Sequence, residues 1–524
     1  MVKKIKEYKP SKWIYVIFFT LPLFFTLLVI RNLDNDLWYL LSEGRYIVQN
    51  GIYKIDPLSM HKGLHVTVQN WASASLFWII YNLFKEPGMI VLVLICNFFI
   101  CFFAYKLCLT ISDDNKILSM LLMFATSITL SSHYIVTRPQ ILSFIILLAL
   151  LYVLELYIKT DNGKYLIWIP IFSFIEINIH ASLWWMIFLF ILPYVIDSFK
   201  NNFLRTQGYR KKPLFIAIIV ALLVGFINPY GYKAITFIFT SYGDKYMHSY
   251  INELLPFTFS SNNLANHMFL LILITSLIYV FFREGNIRVR YICLYCGTMI
   301  LGLMSIKGFS HFVLVSTFPL AYFFKDLFPK SFNDIFPELR KALNIFYCIV
   351  GVLIIAGTSA LFVYKIITVK LTHNAEVAID VISQYADKNK HTIYSSFNDG
   401  GYVEFRGYKP YMDPRAELYL KKNNKKEDLF KEYYDLQHNI LNREEFVDKY
   451  KFDFMLVGYS DALKATMQES TKYFVLYDDS EKQYMVFVRN DVFDAETRQQ
   501  VIDSYSDALE KAKAEAKEKE VKNN

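Results

Sequence analysis

The feature that most restricts this chain is the grouping of its apolar residues into long blocks. Runs long enough to cross a hydrocarbon core about 30 Å thick recur along the first 370 positions. Short charged or Gly/Pro-bearing joints separate them. Blocks of that length, apolar all round, have no polar face for water, so they predict helices buried in lipid. Hydrophobic residues are 54% of the 524, and aromatic residues 17%, above the usage of soluble globular domains. Eleven spans are expected, at 13–30, 89–107, 116–133, 139–158, 165–179, 183–199, 213–228, 266–282, 290–306, 309–325 and 343–368. The stretch 73–84 is apolar but short, and reads as a helix lying along the membrane surface. The first run has a basic start, but Leu27-Leu28-Val29-Ile30-Arg31 offers no small-residue cleavage site, so it reads as an anchor.

Charge sets the expected orientation. With a cytoplasmic N-terminus, the inner joints hold 21 Lys and Arg in 68 residues, and the outer ones 9 in 110. That bias obeys the positive-inside rule. Lys200, Arg205, Arg210, Lys211 and Lys212 weigh most. The net charge of +8 therefore belongs to membrane topology and gives no nucleic-acid signal. An odd number of spans places everything after 369 outside. The six cysteines lie in or beside apolar segments. Cys293 and Cys296 have metal-like spacing but no second pair nearby, and read as small apolar filler.

The tail has a different texture. From 374 to 490 polar and apolar residues mix as in a soluble domain. A helix is expected at 375–387, strands at 392–397, 452–458, 473–478 and 483–489, and a helix near 461–468. Asn398-Asp399-Gly400-Gly401 reads as a turn. The expected layout is a multi-span domain over 1–369, a small extracytoplasmic α/β domain over 370–490, and a charged helical or disordered tail over 491–524.

Polar residues gather at the outer ends of the spans. The first loop offers Asp34, Asp36, Glu43, Arg45, Asp56 and Trp71. Later turns carry Thr137-Arg138-Pro139-Gln140, Glu176-Ile177-Asn178-Ile179-His180, Asn228-Pro229-Tyr230-Gly231, and Lys307 with His311. A transporter would place such groups near the midplane. Asp34 and Asp36 are solvated residues at a helix exit, two hard ligands for a divalent cation, or a base whose neighbour tunes its pKa. Arg138 either caps a helix entry or grips a phosphate through its planar fork. Glu176 and His180 share a helix face, as do Lys307 and His311. For each pair, structural bonding and substrate contact stay equally open. Asp413 and Arg415 read best as an internal ion pair.

These clusters carry a family resemblance. Asp34-Asn35-Asp36-Leu37-Trp38-Tyr39, Glu43-Gly44-Arg45, and Asp56-Pro57-Leu58-Ser59 resemble the first external loop of bacterial membrane proteins related to the GT-C glycosyltransferases. Thr137-Arg138-Pro139-Gln140, Asn178-Ile179-His180 and Asn228-Pro229-Tyr230-Gly231 are similar to their recurring turns. Phe397-Asn398-Asp399-Gly400-Gly401-Tyr402 and Met412-Asp413-Pro414-Arg415 resemble the signature of their external domain. Leu40 stands where the pattern has His, and Gln69-Asn70-Trp71 where His-Glu-Trp is common.

The resemblance implies a GT-C-like polytopic all-α membrane domain of about 11 transmembrane helices, followed by a small extracytoplasmic α/β domain, in a bacterial cell membrane. It implies a glycosyltransferase that moves a sugar from a polyprenyl-phosphate donor to a cell-envelope glycan acceptor. Asp36, then Asp34, is the expected catalytic base. Arg45, Asp56, Arg138, Glu176, His180, Lys307 and His311 are the expected substrate contacts. No cofactor is certain, and a divalent cation, if any, falls to Asp34 and Asp36. A polysaccharide polymerase or ligase, and a non-catalytic scaffold or transporter, are the competing readings.

Overall fold

The computed structural model describes residues 12–201, 206–258, 288–330 and 340–503, with the isolated position 274. The expected span at 266–282 lies outside the described residues. The chain divides into two compact units: residues 1–34 with 68–371, and residues 35–67 with 372–524.

The first unit is helical. Helices occupy each remaining expected span: Lys12–Val29, Trp71–Ile111, Lys116–Ser131, Gln140–Thr160, Trp168–Ile179, Trp184–Ser198, Lys211–Val224, Val289–Met304, Ile306–Phe323 and Arg340–Thr368. Among the described residues, five segments are long and apolar enough to cross a membrane, including Trp71–Ile111 and Gln140–Thr160. The stretch expected to be a separate surface helix, 73–84, is the first part of Trp71–Ile111. The two parts meet at Lys85, whose φ of 53° and ψ of −147° are not helical. Pro87 follows and cannot donate to the ladder, so the break falls there. A side chain on Gly88 would meet Phe84 at 2.6 Å, so glycine lets the chain turn tightly at the kink.

Without a hydrophobic drive between helices in lipid, close packing and polar contacts must hold them. Asn97 donates to Thr26, and Ser127 donates to Asn97. Thr126 donates to Thr317 at 2.8 Å. Gly225 lies against Trp184, where a Cβ would come within 2.3 Å of the indole. Near the expected inner ends, Arg290 binds Glu155 and Asp197, at 3.0 and 2.6 Å, all three buried. Its remaining donors reach Gln207 and Tyr291. A buried ion group this fully bonded fixes helix register more than it adds net stability.

The second unit is a small α/β layer. Its sheet has the order β1-β2-β4-β3, with β1 Ile393–Tyr394, β2 Phe454–Gly458, β3 Tyr473–Asp479 and β4 Tyr484–Arg489. β1 runs parallel to β2, and the other pairs are antiparallel. Phe454, Met455, Leu456 and Val457 are fully buried, as the continuous apolar run of a central strand requires. The expected helices at 375–387 and 461–468 are Glu376–Tyr385 and Leu463–Gln468. Helices Leu429–Gln437 and Arg443–Tyr450 were not anticipated.

The turn expected at Asn398-Asp399-Gly400-Gly401 is present at Asn398 and Asp399, and the two glycines then open a short helix, Gly400–Phe405. That helix packs on Leu37–Asn50, Trp38 meeting Tyr402 edge-on at 4.7 Å between centroids. The glycines make this approach possible. A Cβ on Gly400 would lie 1.8 Å from the Met412 carbonyl, and one on Gly401 3.1 Å from the Tyr39 nitrogen. The first external loop was expected to belong to the membrane domain, but residues 35–67 group with the second unit. Their buried Leu37, Trp38, Leu40 and Leu41 form an apolar face that a solvated loop would leave in water.

Candidate functional site

The turn Thr137-Arg138-Pro139-Gln140 is the hub of the polar end of the first unit. Pro139 has φ −51° and precedes helix Gln140–Thr160, a position where proline's missing donor costs nothing. Thr137 accepts from the Asp34 backbone nitrogen, and Gln140 donates to Ser310 at 2.8 Å. Arg138 lies between two carboxylates. Its Nε donates to Asp34 at 2.9 Å, and its Nη1 donates to Glu253. Arg138, Asp34 and Glu253 are all partly buried, Glu253 the least of the three. Burial tends to raise the Glu253 carboxyl, but Arg138 and then Lys307 outweigh it and hold the group below its ordinary value. Lys307, at the start of Ile306–Phe323, reaches the Tyr242 hydroxyl at 3.5 Å. Two cations and two carboxylates thus meet where several helices end.

Behind this group lies a second, inner one. The Ser143 hydroxyl lies 3.2 Å from Nδ1 of His180. Glu176 is fully buried beside Ser143, and neither carboxyl oxygen makes a hydrogen bond of good geometry. Nε2 of His311 is likewise buried without a partner. His180 sits in the turn after helix Trp168–Ile179. Burial, then Lys307 and His311, push its imidazole down to about 3, so it is neutral at pH 7. Asn178, from the same motif, is structural. It accepts from Trp71 at 3.1 Å and donates to the Ile227 carbonyl at 3.1 Å. Ser73 donates to the Ile179 carbonyl, and the Ala181 nitrogen to the Gln69 carbonyl. Those turns fasten three helix ends together.

Asp34, Arg138, Glu176, His180, Lys307 and His311 therefore share the first unit. Asp36, Arg45 and Asp56 belong to the second. Asp36 holds the residue before helix Leu37–Asn50 and makes no side-chain cap bond there. Arg45 donates to the Glu404 carbonyl and lies 5.4 Å over the Phe405 ring. Asp56 accepts from Arg415 at 2.7 Å and from the Ser59 nitrogen, with no side-chain surface exposed. Its role there is internal, which departs from the expected substrate contact.

Arg415 centres that buried group. It binds Asp413 at 2.8 Å, Asp56 and Glu404, with Glu43 at 3.8 Å. The ion pair of Asp413 with Arg415 is present as expected, inside a larger cluster. One guanidinium faces four carboxyls. Burial pushes Glu43 up to about 8 against the pull of Arg415, and drives Glu404 well above its ordinary value. For Asp413, the attraction of Arg415 overcomes burial and keeps the group ionised. Asp413 thus stays charged beside the cation, while burial favours the protonated form of Glu43 and Glu404.

The expected cation pair, Asp34 and Asp36, is split between the units. Asp34 is already engaged by Arg138. Among the described residues, no three His, Cys, Asp or Glu side chains gather in a way that would hold a metal ion.

Tyr242 and Ser143 were not singled out from the sequence, and Glu253 was visible there as one of several charged residues of an outer loop. Glu253 lies 115 positions from Arg138, and only its place in an outer loop marked it. A cavity of about 340 Å³ opens beside Asp34, walled by Val29, Ile30, Leu33, Ile90, Val93, Ile135 and Val136, with Arg31, Asn32 and His133 among its polar lining.

No protein-family model matches the sequence, and neither does any curated protein. Solved structures do match in shape. The oligosaccharyltransferase AglB from Archaeoglobus fulgidus, in complex with an inhibitory peptide and a dolichol-phosphate, superposes with a TM-score of 0.56 at 12% identity. The match covers 92% of this chain and 75% of that one. The apo form of the A. fulgidus oligosaccharyltransferase gives 0.55 at 13% identity, covering 87% and 70%. ArnT from Cupriavidus metallidurans, bound to undecaprenyl phosphate, gives 0.52 at 10% identity, covering 90% and 97%. The chain shares the fold of these structures. At 10–13% identity the likeness shows the fold alone and leaves the reaction to be argued from the residues.

Proposed function

We propose that this chain is a membrane glycosyltransferase that moves a sugar from a polyprenyl-phosphate donor to an acceptor at the outer face of the membrane. The observation that carries this reading is the placement of Arg138 between Asp34 and Glu253, with Lys307 beside them. Breaking the bond between a sugar and a lipid phosphate leaves growing negative charge on the phosphate. Arginine and lysine are suited to receive it, arginine through two parallel hydrogen bonds. An incoming phosphate competes with Asp34 for the guanidinium and frees that carboxylate. Asp34 then takes the acceptor's hydroxyl proton. The hydroxyl oxygen bonds to the anomeric carbon, and the bond from that carbon to the phosphate oxygen breaks.

Asp34 takes precedence over Asp36 as the base because Arg138 holds its carboxylate at 2.9 Å. His180, neutral at pH 7, and His311 lie behind Lys307 and complete the polar end of the unit. The shared fold with enzymes solved around dolichol-phosphate and undecaprenyl phosphate supports the donor class. The outward placement rests on the charge bias of the loops.

The test is turnover by the purified chain in lipid nanodiscs supplied with polyprenyl-phosphate sugars. Asp34→Asn is expected to lower kcat by about 10²–10⁴-fold. Arg138→Lys is expected to lower kcat/KM by about 10²-fold, since lysine cannot form the bidentate contact. Full turnover by Asp34→Asn would transfer the base role elsewhere, Asp36 being next. Failure of the wild type to release polyprenyl phosphate from any donor would replace the transferase reading with the scaffold reading.

A further inference from the structure

The cavity beside Asp34 has a chemistry of its own. Its volume, about 340 Å³, lies near the lower end of the roughly 300–1,000 Å³ typical of small-molecule pockets. The wall is built from the last turn of helix Lys12–Val29 and the residues after it, from Ile90 and Val93 beyond the kink, and from the turn 131–137. Ile90, Val93 and Ile135 are buried at its back. Asp34 lines it, but Arg138 and Lys307 do not. The two cations assigned to the phosphate therefore lie outside this wall, while the carboxylate assigned to the hydroxyl proton lies in it. Arg31 and Asp34 leave the polar part of the lining near neutrality.

A wall of Val, Ile and Leu favours hydrocarbon by about 25 cal/mol per Å² buried. It gives little to a bare polysaccharide, whose hydroxyls would lose water without gaining partners. We propose that this cavity takes the hydrocarbon chain of a lipid-anchored acceptor and thereby presents the acceptor's hydroxyl to Asp34. The inference rests on the transferase reading and narrows it. The acceptor is an amphiphile held in the membrane, and a soluble glycan lacking a lipid is a poor substrate. A polyprenyl-phosphate chain could fill the same apolar space. Arg138 and Lys307, the cations assigned to the donor phosphate, do not line the cavity, which leaves its apolar wall to the acceptor's chain.

The experiment uses the full chain in nanodiscs and a series of alkyl glucosides with 8, 12 and 16 carbons, each bearing a photoreactive diazirine in its chain. Labelling is expected to map to the peptides containing 29–34, 90–93 and 131–137. It should strengthen at least tenfold from 8 to 16 carbons, and unlabelled hexadecyl glucoside should compete it away. Polyprenyl phosphate should not compete. Val93→Phe, which fills the cavity, should reduce this labelling at least fivefold, with the melting temperature measured to confirm folding. Labelling elsewhere, equal labelling at all chain lengths, competition by polyprenyl phosphate or by bulk phospholipid, or undiminished labelling of a folded Val93→Phe variant would each overturn the proposal. The readout is binding. A chain that labels as expected but consumes no donor would defeat the transferase reading and leave the lipid cavity standing. A chain that consumes donor without the expected labelling would do the reverse.

Discussion

Replacing Glu43 with glutamine should make the second unit more stable at neutral pH, although Glu43 sits within reach of a buried arginine. The carboxyl is almost wholly enclosed, with 3% of its side chain exposed. One oxygen accepts from Tyr53 at 3.4 Å, and the other has no partner. Burial raises its pKa from 4.5 to about 8. A group raised in this way keeps its proton in the native state and loses it more easily in the unfolded chain. Its effect on stability is therefore fully favourable below about pH 4.5 and declines as pH rises towards 8. At about 1.4 kcal/mol per pH unit, the decline to pH 7 is about 3 kcal/mol. Glutamine keeps the oxygen that Tyr53 bonds and has no proton to lose. Glu43→Gln should thus gain about 3 kcal/mol at pH 7 and show little difference at pH 4.5. Hydrogen exchange of amides in β2, measured on the full chain in nanodiscs across pH 4.5–8 and corrected for intrinsic rates, reads this directly. If wild-type protection is independent of pH and the variant matches it throughout, the reasoning from burial is wrong.

Two other substitutions test the same unit. Arg415→Met should cost about 3–5 kcal/mol, because Asp413 would be left charged and buried without its counter-ion and Asp56 without its hydrogen-bond donor. Limited proteolysis should then cleave residues 372–503 while sparing the helices of the first unit. Gly400→Val should disrupt the approach of the 400–405 helix to the Met412 carbonyl. It should abolish the protection of Trp38 from quenching, whereas Gly297→Ala, with open space around its Cβ and no left-handed backbone, should leave that signal unchanged.

Much of the helical layout was legible because lipid solvation is a local demand. Each block from Lys12–Val29 to Arg340–Thr368 had to satisfy its own backbone, so hydropathy alone located it. Strands β2, β3 and β4 were legible from their β-branched and aromatic runs between turn signals. The helices Leu429–Gln437 and Arg443–Tyr450 were not, because each is short and intersperses charged residues among its apolar ones, and tertiary burial of a few positions decides them. The site was legible as a list of residues and not as a geometry. Arg138 was visible at a helix entry, but its pairing with Glu253 depends on folding of distant segments. Asp34 and Asp36 looked like one group from their spacing, yet a unit boundary passes between them. The reason is visible at Leu37 and Trp38, whose burial commits the chain after Asp34 to a different core.

The insertion of residues 35–67 into the second unit has a consequence for biogenesis. This segment emerges from synthesis early, but Arg415, Glu404 and Tyr402, which complete its surroundings, follow more than 300 positions later. Until they arrive, Trp38 and its apolar neighbours lack their covering, and Glu43 and Asp56 lack a counter-ion. Contacts so distant along the chain form late. A nascent chain halted before residue 400 would therefore present an unfinished, sticky surface, a natural target for quality-control proteases.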